Sequence, residues 1–326
     1  DLAEVDLVVE AAFETMAVKK QIFSKLDEVC KADAILASNT SYLDINEIAQ
    51  ATNRANKVLG MHFFSPANIM KLLEVVRADA TDEQTIKTAM ALGKKIGKIT
   101  VAVNVCYGFV GNRMYACYGR EANMLLLEGA SPEQIDNAMH KWGMAMGPLA
   151  VNDMSGIDIA YKARQENPNL PDDPAYFQAA NLMVEAGRLG QKTGSGFYQY
   201  DKDSGRRVAD EKVLTIFREQ ADSLHISQRD DITDEEIQNR LIFALINEGA
   251  NILSEGIATR ASDIDVIWLN GYGFPRHLGG PMCYADEVGL DKVVATIKEY
   301  QQQLGDKYWQ PAPLLLERLS QNKTLI

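Results

Sequence analysis

What this 326-residue chain has little of narrows its chemistry at once. Its four cysteines, Cys30, Cys106, Cys117 and Cys283, show no CxxC spacing and no disulfide-framework density, so free thiols in a reducing compartment are expected. Basic side chains are outnumbered: 33 Lys and Arg face 45 Asp and Glu, a net charge of −12 that argues against nucleic acid or an anionic membrane as the main partner. An anionic cofactor stays compatible, because it needs only a local basic group or a helix N-terminus. No apolar run nears the roughly 20 residues of a membrane span. The acidic Asp1–Glu4 stretch is unlike a signal peptide, and the terminal KTLI is not an SKL-type address, so cytoplasm is the expected compartment. The phosphate-binding fingerprint GxGxxG is also missing. The chain opens on what reads as the loop before a middle strand, so the first βαβ half of a dinucleotide-binding domain is expected upstream of residue 1.

What is present reads as a globular chain of two or three domains, 46% hydrophobic and 24% charged. Over the first hundred residues, short apolar runs alternate with helical periodicity. Strands are expected at 7–9, 34–37, 58–61, 72–76 and 99–103, with helices at 16–30, 44–51 and 81–96. Such alternation means an α/β domain on a largely parallel sheet, whose ligands sit beyond the carboxyl ends of the strands. The segments 10–14, 38–41 and 62–66 would share that edge.

The run MHFFSPANIMKLLE places His62 and Glu74 on two short apolar segments. Imidazole titrates near physiological pH, and a carboxylate on one ring nitrogen fixes the tautomer and leaves the other nitrogen as proton acceptor. From spacing alone, a core histidine beside an unrelated strand glutamate remains the alternative. The other three histidines, His140, His225 and His277, stand alone and read as solvated or structural. His277 near Cys283 lacks further ligands for a metal, so none is expected.

After residue 104 the pattern turns helical and repeats. Asn112-Arg113, Glu121, Glu128-Gly129, Gly147-Pro148, Asp153, Gly156 and Asp158 recur in order as Asn239-Arg240, Glu248, Glu255-Gly256, Gly280-Pro281, Asp286, Gly289 and Asp291. The spacing is preserved within two blocks, the signature of two copies of one helical unit. Ser131-Pro132 and the capping box Thr233–Glu236 mark helix starts. The expected organisation is a partial Rossmann-type parallel sheet over 1–104, then two duplicated all-helical domains over 105–203 and 233–326, with a linker over 204–232.

SNTSYL (Ser38–Leu43), HFFSPANIMKLLEVV (His62–Val76), GFVGNRM (Gly108–Met114), MGPLAVNDMSGID (Met146–Asp158) and GQKTGSGFYQY (Gly190–Tyr200) resemble the L-3-hydroxyacyl-CoA dehydrogenase family. With GYGFPRHLGGPMCYADEVGL (Gly271–Leu290), the chain is similar to the dehydrogenase region of peroxisomal-type multifunctional β-oxidation enzymes. The resemblance implies NAD-dependent oxidation of (S)-3-hydroxyacyl-CoA, an acyl-CoA substrate and an enoyl-CoA hydratase domain upstream in the same chain. It also implies a monomer whose two helical copies pack together. His62 falls on the family's general base, Glu74 on its paired carboxylate, and Ser41 and Asn112 on the substrate-binding serine and asparagine. Glu14, Lys19, Ser41 and Ser65 fall on cofactor contacts, though many members carry asparagine at the Ser65 position. Read without the resemblance, Asn112 could be a helix N-cap, Glu14 a first-turn acid and Lys19 a solvated lysine. A non-catalytic assembly fragment and a dehydrogenase of another small hydroxy acid are the competing readings.

Overall fold

Short β-branched runs between helical segments fold here into a Rossmann-type α/β unit. The computed structural model describes residues 2–167 and 169–326. The strands are β1 (Leu7–Glu10), β2 (Ile35–Ser38), β3 (Val58–Phe63), β4 (Leu72–Arg77) and β5 (Ile99–Asn104), and they form one sheet in the order β1-β2-β3-β4-β5. Between them lie α1 (Met16–Val29), α2 (Ile45–Ala49) and α3 (Glu83–Lys95). Three pairings are parallel, as expected. The β3–β4 pairing is antiparallel, with His62 opposite Glu74. β3 also continues through His62, so the histidine sits within the ladder instead of just past it.

Local chemistry explains the element ends. Asp44 caps α2 by accepting from Asn46 N at 2.7 Å, and Asp82 caps α3 by accepting from Thr85 N at 2.7 Å. One face of the sheet buries Ala37, Leu59, Met61, Leu73 and Val75 against Ile86 and Ala89 of α3. Gly93 lets α3 approach closely, since a Cβ there would lie 2.3 Å from Thr100 Cγ2 and 2.9 Å from Leu73 Cδ2.

The helices that follow are α4 (Gly111–Glu128), α5 (Pro132–Trp142), α6 (Pro148–Ser155), α7 (Ile157–Gln165), α8 (Gln178–Glu185), α9 (Glu211–Ser223), α10 (Asp234–Ser254), α11 (Ala261–Gly271), α12 (Pro281–Val288), α13 (Leu290–Leu304), α14 (Asp306–Trp309) and α15 (Pro313–Ser320). The chain divides into one unit of Asp1–Met114, Ile246–Leu304 and Gln310–Ile326, and another of Tyr115–Leu245 and Gly305–Trp309. The stretch read as a linker, 204–232, carries α9, whose Val213, Phe217 and Ala221 are buried. The anticipated starts of α5 and α10 are present: Ser131 accepts from Gln134 N, and Thr233 from Glu236 N, each at 3.1 Å.

Within each unit the duplicated positions perform like tasks. In the second unit, Asp136 accepts from Leu149 N and Ala150 N at the start of α6. In the first, Asp265 accepts from Met282 N and Cys283 N at the start of α12. Asp153 holds Phe197 N and Tyr198 N, and Asp286 holds Leu325 N and Ile326 N. The arginines match too. Arg113 bonds Glu248 and Glu255 in the first unit, and Arg240 bonds Glu121 and Glu128 in the second.

Candidate active site

The antiparallel β3–β4 pairing builds the centre of the site. Directly opposed residues of such a pair point to the same face, so twelve residues of chain return Glu74 to the side of His62. His62 Nδ1 lies 2.8 Å from Glu74 Oε2, and both side chains are buried. A carboxylate only accepts, so Nδ1 carries the proton, and in the neutral ring Nε2 is the acceptor. The second carboxylate oxygen is committed as well: Glu74 Oε1 accepts from Gly111 N at 3.0 Å, in the first turn of α4. Negative charge is favoured at a helix N-terminus, so α4 and His62 share one carboxylate. The His62 ring meets Phe64 and Phe109, at centroid distances of 4.5 and 5.7 Å. Buried Phe109 holds the left-handed backbone (φ 50°) just before α4, a conformation disfavoured for a residue with a side chain.

Asn112 follows on α4, where Nδ2 donates to Ser41 O at 3.4 Å and Oδ1 accepts from Tyr272 Oη at 2.8 Å. Ser41 is set by Glu14, whose Oε1 accepts from Thr40 Oγ1 at 2.5 Å, Ser41 N at 2.7 Å and Tyr42 N at 3.3 Å. Glu14 thus shapes the turn beyond β2, a task beyond that of a first-turn acid. Lys19 is not a solvated lysine. It is buried, with Nζ 2.9 Å from Glu10 Oε1, 3.1 Å from Ala12 O and 3.5 Å from Glu14 Oε2. Ser65 lies exposed in the β3–β4 loop ahead of Pro66, and none of the hydrogen bonds joining the others involves it. The structure therefore brings together His62 with Glu74, Ser41 with Asn112, and Glu14 with both Lys19 and Ser41.

Two participants escaped the sequence reading. Glu10 closes β1 and, besides Lys19, accepts from Ser38 Oγ at 2.9 Å; the signal was a carboxylate ending an apolar strand. Tyr272 comes from the second helical copy, 160 residues after Asn112. Its signal was an aromatic residue framed by glycines in GYGFP. Of the cysteines, Cys30 is buried, while Cys106, Cys117 and Cys283 are partly exposed. Burial pushes the Cys106 thiol up to about 11, so it is no nucleophile at neutral pH.

The chain has relatives among known proteins. Residues 1–106 match the NAD binding domain of 3-hydroxyacyl-CoA dehydrogenase, and residues 108–200 and 237–325 match the C-terminal domain of the same enzyme. The peroxisomal bifunctional enzyme of Danio rerio is 47% identical over 97% of this chain and 46% of its own length. That of Homo sapiens is 46% identical over 94% and 44%. The chain thus spans about half the length of these curated relatives. Among solved structures, the dehydrogenase part of multifunctional enzyme 1 from C. elegans shares 33% identity at a TM-score of 0.68, covering 97% of this chain and 72% of that one. The 3-hydroxybutyryl-CoA dehydrogenase of Escherichia coli K12 shares 25% identity at a TM-score of 0.80, covering 98% and 82%. With both domains matched in order, the chain belongs to the 3-hydroxyacyl-CoA dehydrogenase family.

Proposed function

We propose that this chain carries the NAD-dependent oxidation of (S)-3-hydroxyacyl-CoA to 3-oxoacyl-CoA in β-oxidation. The observation that carries the reading is the buried His62–Glu74 pair joined to the start of α4, with the Asn112 amide on the next residue. Bound NAD supplies the acceptor for the hydride that leaves C3. His62 Nε2 takes the hydroxyl proton as that hydride leaves, and Glu74 stabilises the imidazolium that forms. Asn112 Nδ2 and Ser41 Oγ are donors for the substrate hydroxyl and thioester carbonyl, holding the near-attack geometry.

For the cofactor, the residues fit at the carboxyl ends of β1 and β2. Ser41 Oγ makes no hydrogen bond among the described residues and is free to donate. Glu14 and Lys19 act there by shaping the loop, and Ser65 would reach the cofactor from the β3–β4 loop. The division proposed for the chain is a nucleotide-binding part over 1–104 and helical copies over 105–203 and 233–326.

An enoyl-CoA hydratase domain in the rest of the protein is what the family resemblance implies; the relatives' name, bifunctional enzyme, and the share of their length covered support a second activity there. Their peroxisomal naming weighs against cytoplasm, and imaging of the tagged full-length protein decides between the two. The paired arginine–glutamate clusters of the two copies support a monomer, because a linked copy outcompetes a second molecule for the same surface. Light scattering checks the mass. An assembly fragment would have no use for a buried His–Glu pair, and the similarity of this chain to 3-hydroxyacyl-CoA dehydrogenases favours a thioester over a small hydroxy acid.

The test is His62→Ala in the full-length protein. Turnover of 3-hydroxyacyl-CoA should fall by roughly 10²–10⁴, the usual general-base contribution. Near-wild-type turnover sinks the assignment.

A further inference from the structure

Asn112 is useful as a donor only if its amide points the right way. The two ends of an asparagine amide are nearly the same size, so orientation is set by hydrogen-bond partners alone. One end faces Ser41 O at 3.4 Å, and a carbonyl can only accept, so that end must be the NH₂ group. The other end is therefore Oδ1, and the Tyr272 hydroxyl that meets it at 2.8 Å must donate. The carbonyl decides which end is which, and the tyrosine hydroxyl, able to donate or accept, adds the shorter bond on the other side. Without it, one long contact would hold the amide.

Tyr272 is itself held. Its ring stacks on fully buried Trp268, with centroids 4.6 Å apart and 24° between planes, and meets Phe64 edge-on at 5.6 Å. Phe64 in turn packs against His62 at 4.5 Å. Gly111 makes room for it: a Cβ there would lie 2.6 Å from Tyr272 Oη. One ring thus leans on both arms of the site, on Asn112 by a hydrogen bond and on His62 through Phe64.

The connection that carries Tyr272 is longer than its counterpart in the first helical copy. There, Asp136 reaches forward 13 residues to Leu149 N, whereas in the second copy Asp265 reaches 17 residues to Met282 N. The extra residues fall in the connection after α11, and Tyr272 is the first residue of that longer connection. We propose that Tyr272 is a positioning residue for the dehydrogenase site, fixing the Asn112 amide with its NH₂ group toward the acyl substrate. The second copy then supplies part of the site. The proposal rests on the reading of Asn112 as a substrate donor.

The experiment uses the full-length protein with (S)-3-hydroxybutyryl-CoA and NAD, and compares Tyr272→Phe, Asn112→Ala and the double variant. Phenylalanine keeps the ring and its stacking, so the thermal midpoint should stay near wild type. Loss of one neutral hydrogen bond should lower kcat/KM about three- to tenfold and weaken acetoacetyl-CoA binding by a similar factor in calorimetry. In the Asn112→Ala background, Tyr272→Phe should cost nothing further, a non-additivity that a merely structural tyrosine would not produce. Wild-type kinetics for Tyr272→Phe, or an equal loss with and without the Asn112 amide, overturns the proposal. The functional reading fails separately, through a His62→Ala protein that keeps its turnover.

Discussion

Glu74→Gln is the substitution that the site should tolerate least for its size. The carboxylate uses two acceptors, one for His62 Nδ1 at 2.8 Å and one for Gly111 N at 3.0 Å. Glutamine fills the same volume but offers one acceptor and one donor. The Gly111 N–H is fixed in the first turn of α4 and cannot reverse, so the amide oxygen must stay with it. The amide NH₂ then faces His62 Nδ1, which has to give up its proton to avoid two opposed donors. That proton moves to Nε2, the nitrogen that should be bare, and the base is lost through its tautomer while its position is kept. Turning the amide over instead would orphan the buried Gly111 N–H at about 1–3 kcal/mol. The stability change should therefore be small, and the expected loss in kcat is roughly 10²–10⁴, as when a histidine base is forced into the wrong tautomer elsewhere. NADH absorbance in steady state reads kcat, and thermal unfolding checks the fold. A folded Glu74→Gln protein turning over within a few-fold of wild type would refute the tautomer argument.

The matched arginines should differ in weight because their burial differs. Arg240 and Glu121 are each 2% exposed, so Arg240→Met should cost about 3–5 kcal/mol, whereas Arg113→Met, with Glu255 47% exposed, should cost nearer 1 kcal/mol. Urea unfolding with hydrogen exchange resolved by helix compares them, and equal losses would contradict the burial argument. Burial, with the nearby Asp286 charge adding to it, holds the Asp265 carboxyl up at about 7, against the pull of two backbone N–H groups. Because the folded protein keeps this proton to higher pH than the unfolded chain, stability from this group is greatest in acid. It should fall as pH rises from about 4 through about 7 and level off above. Asp265→Asn should flatten that part of the profile, seen in urea midpoints at about pH 5 and about pH 8, and an unchanged slope would count against it.

Much of the fold was legible because it is written locally. Strand runs, the Ser131 and Thr233 caps and the duplicated Asn-Arg and Glu-Gly pairs are short-range patterns, and the elements follow them within a residue or two. The direction of β4 was not legible. Its apolar run reads the same either way, and only the loop from Phe64 to Lys71, too short for a helical crossover, hinted at a return. The His62–Glu74 pair could be named from its residues, but the reason they meet lay in that hidden pairing. Lys19 carries the same lesson in charge: helical periodicity cannot say that a lysine will be buried when its partners are Glu10, at the end of β1, and the Ala12 carbonyl in the loop after it. Tyr272 was out of reach because its partner is far away along the chain.

The pairing of β3 with β4 has a consequence for how this site can vary. Because His62 and Glu74 are neighbours across a ladder, their meeting is inherited from backbone register, and side-chain reach contributes little. Residues can be added to or removed from the Phe64–Lys71 loop without disturbing it. A single insertion inside either strand would instead send one partner to the opposite face of the sheet. Drift in length is thus channelled into the loop, while the His62–Glu74 pair stays fixed.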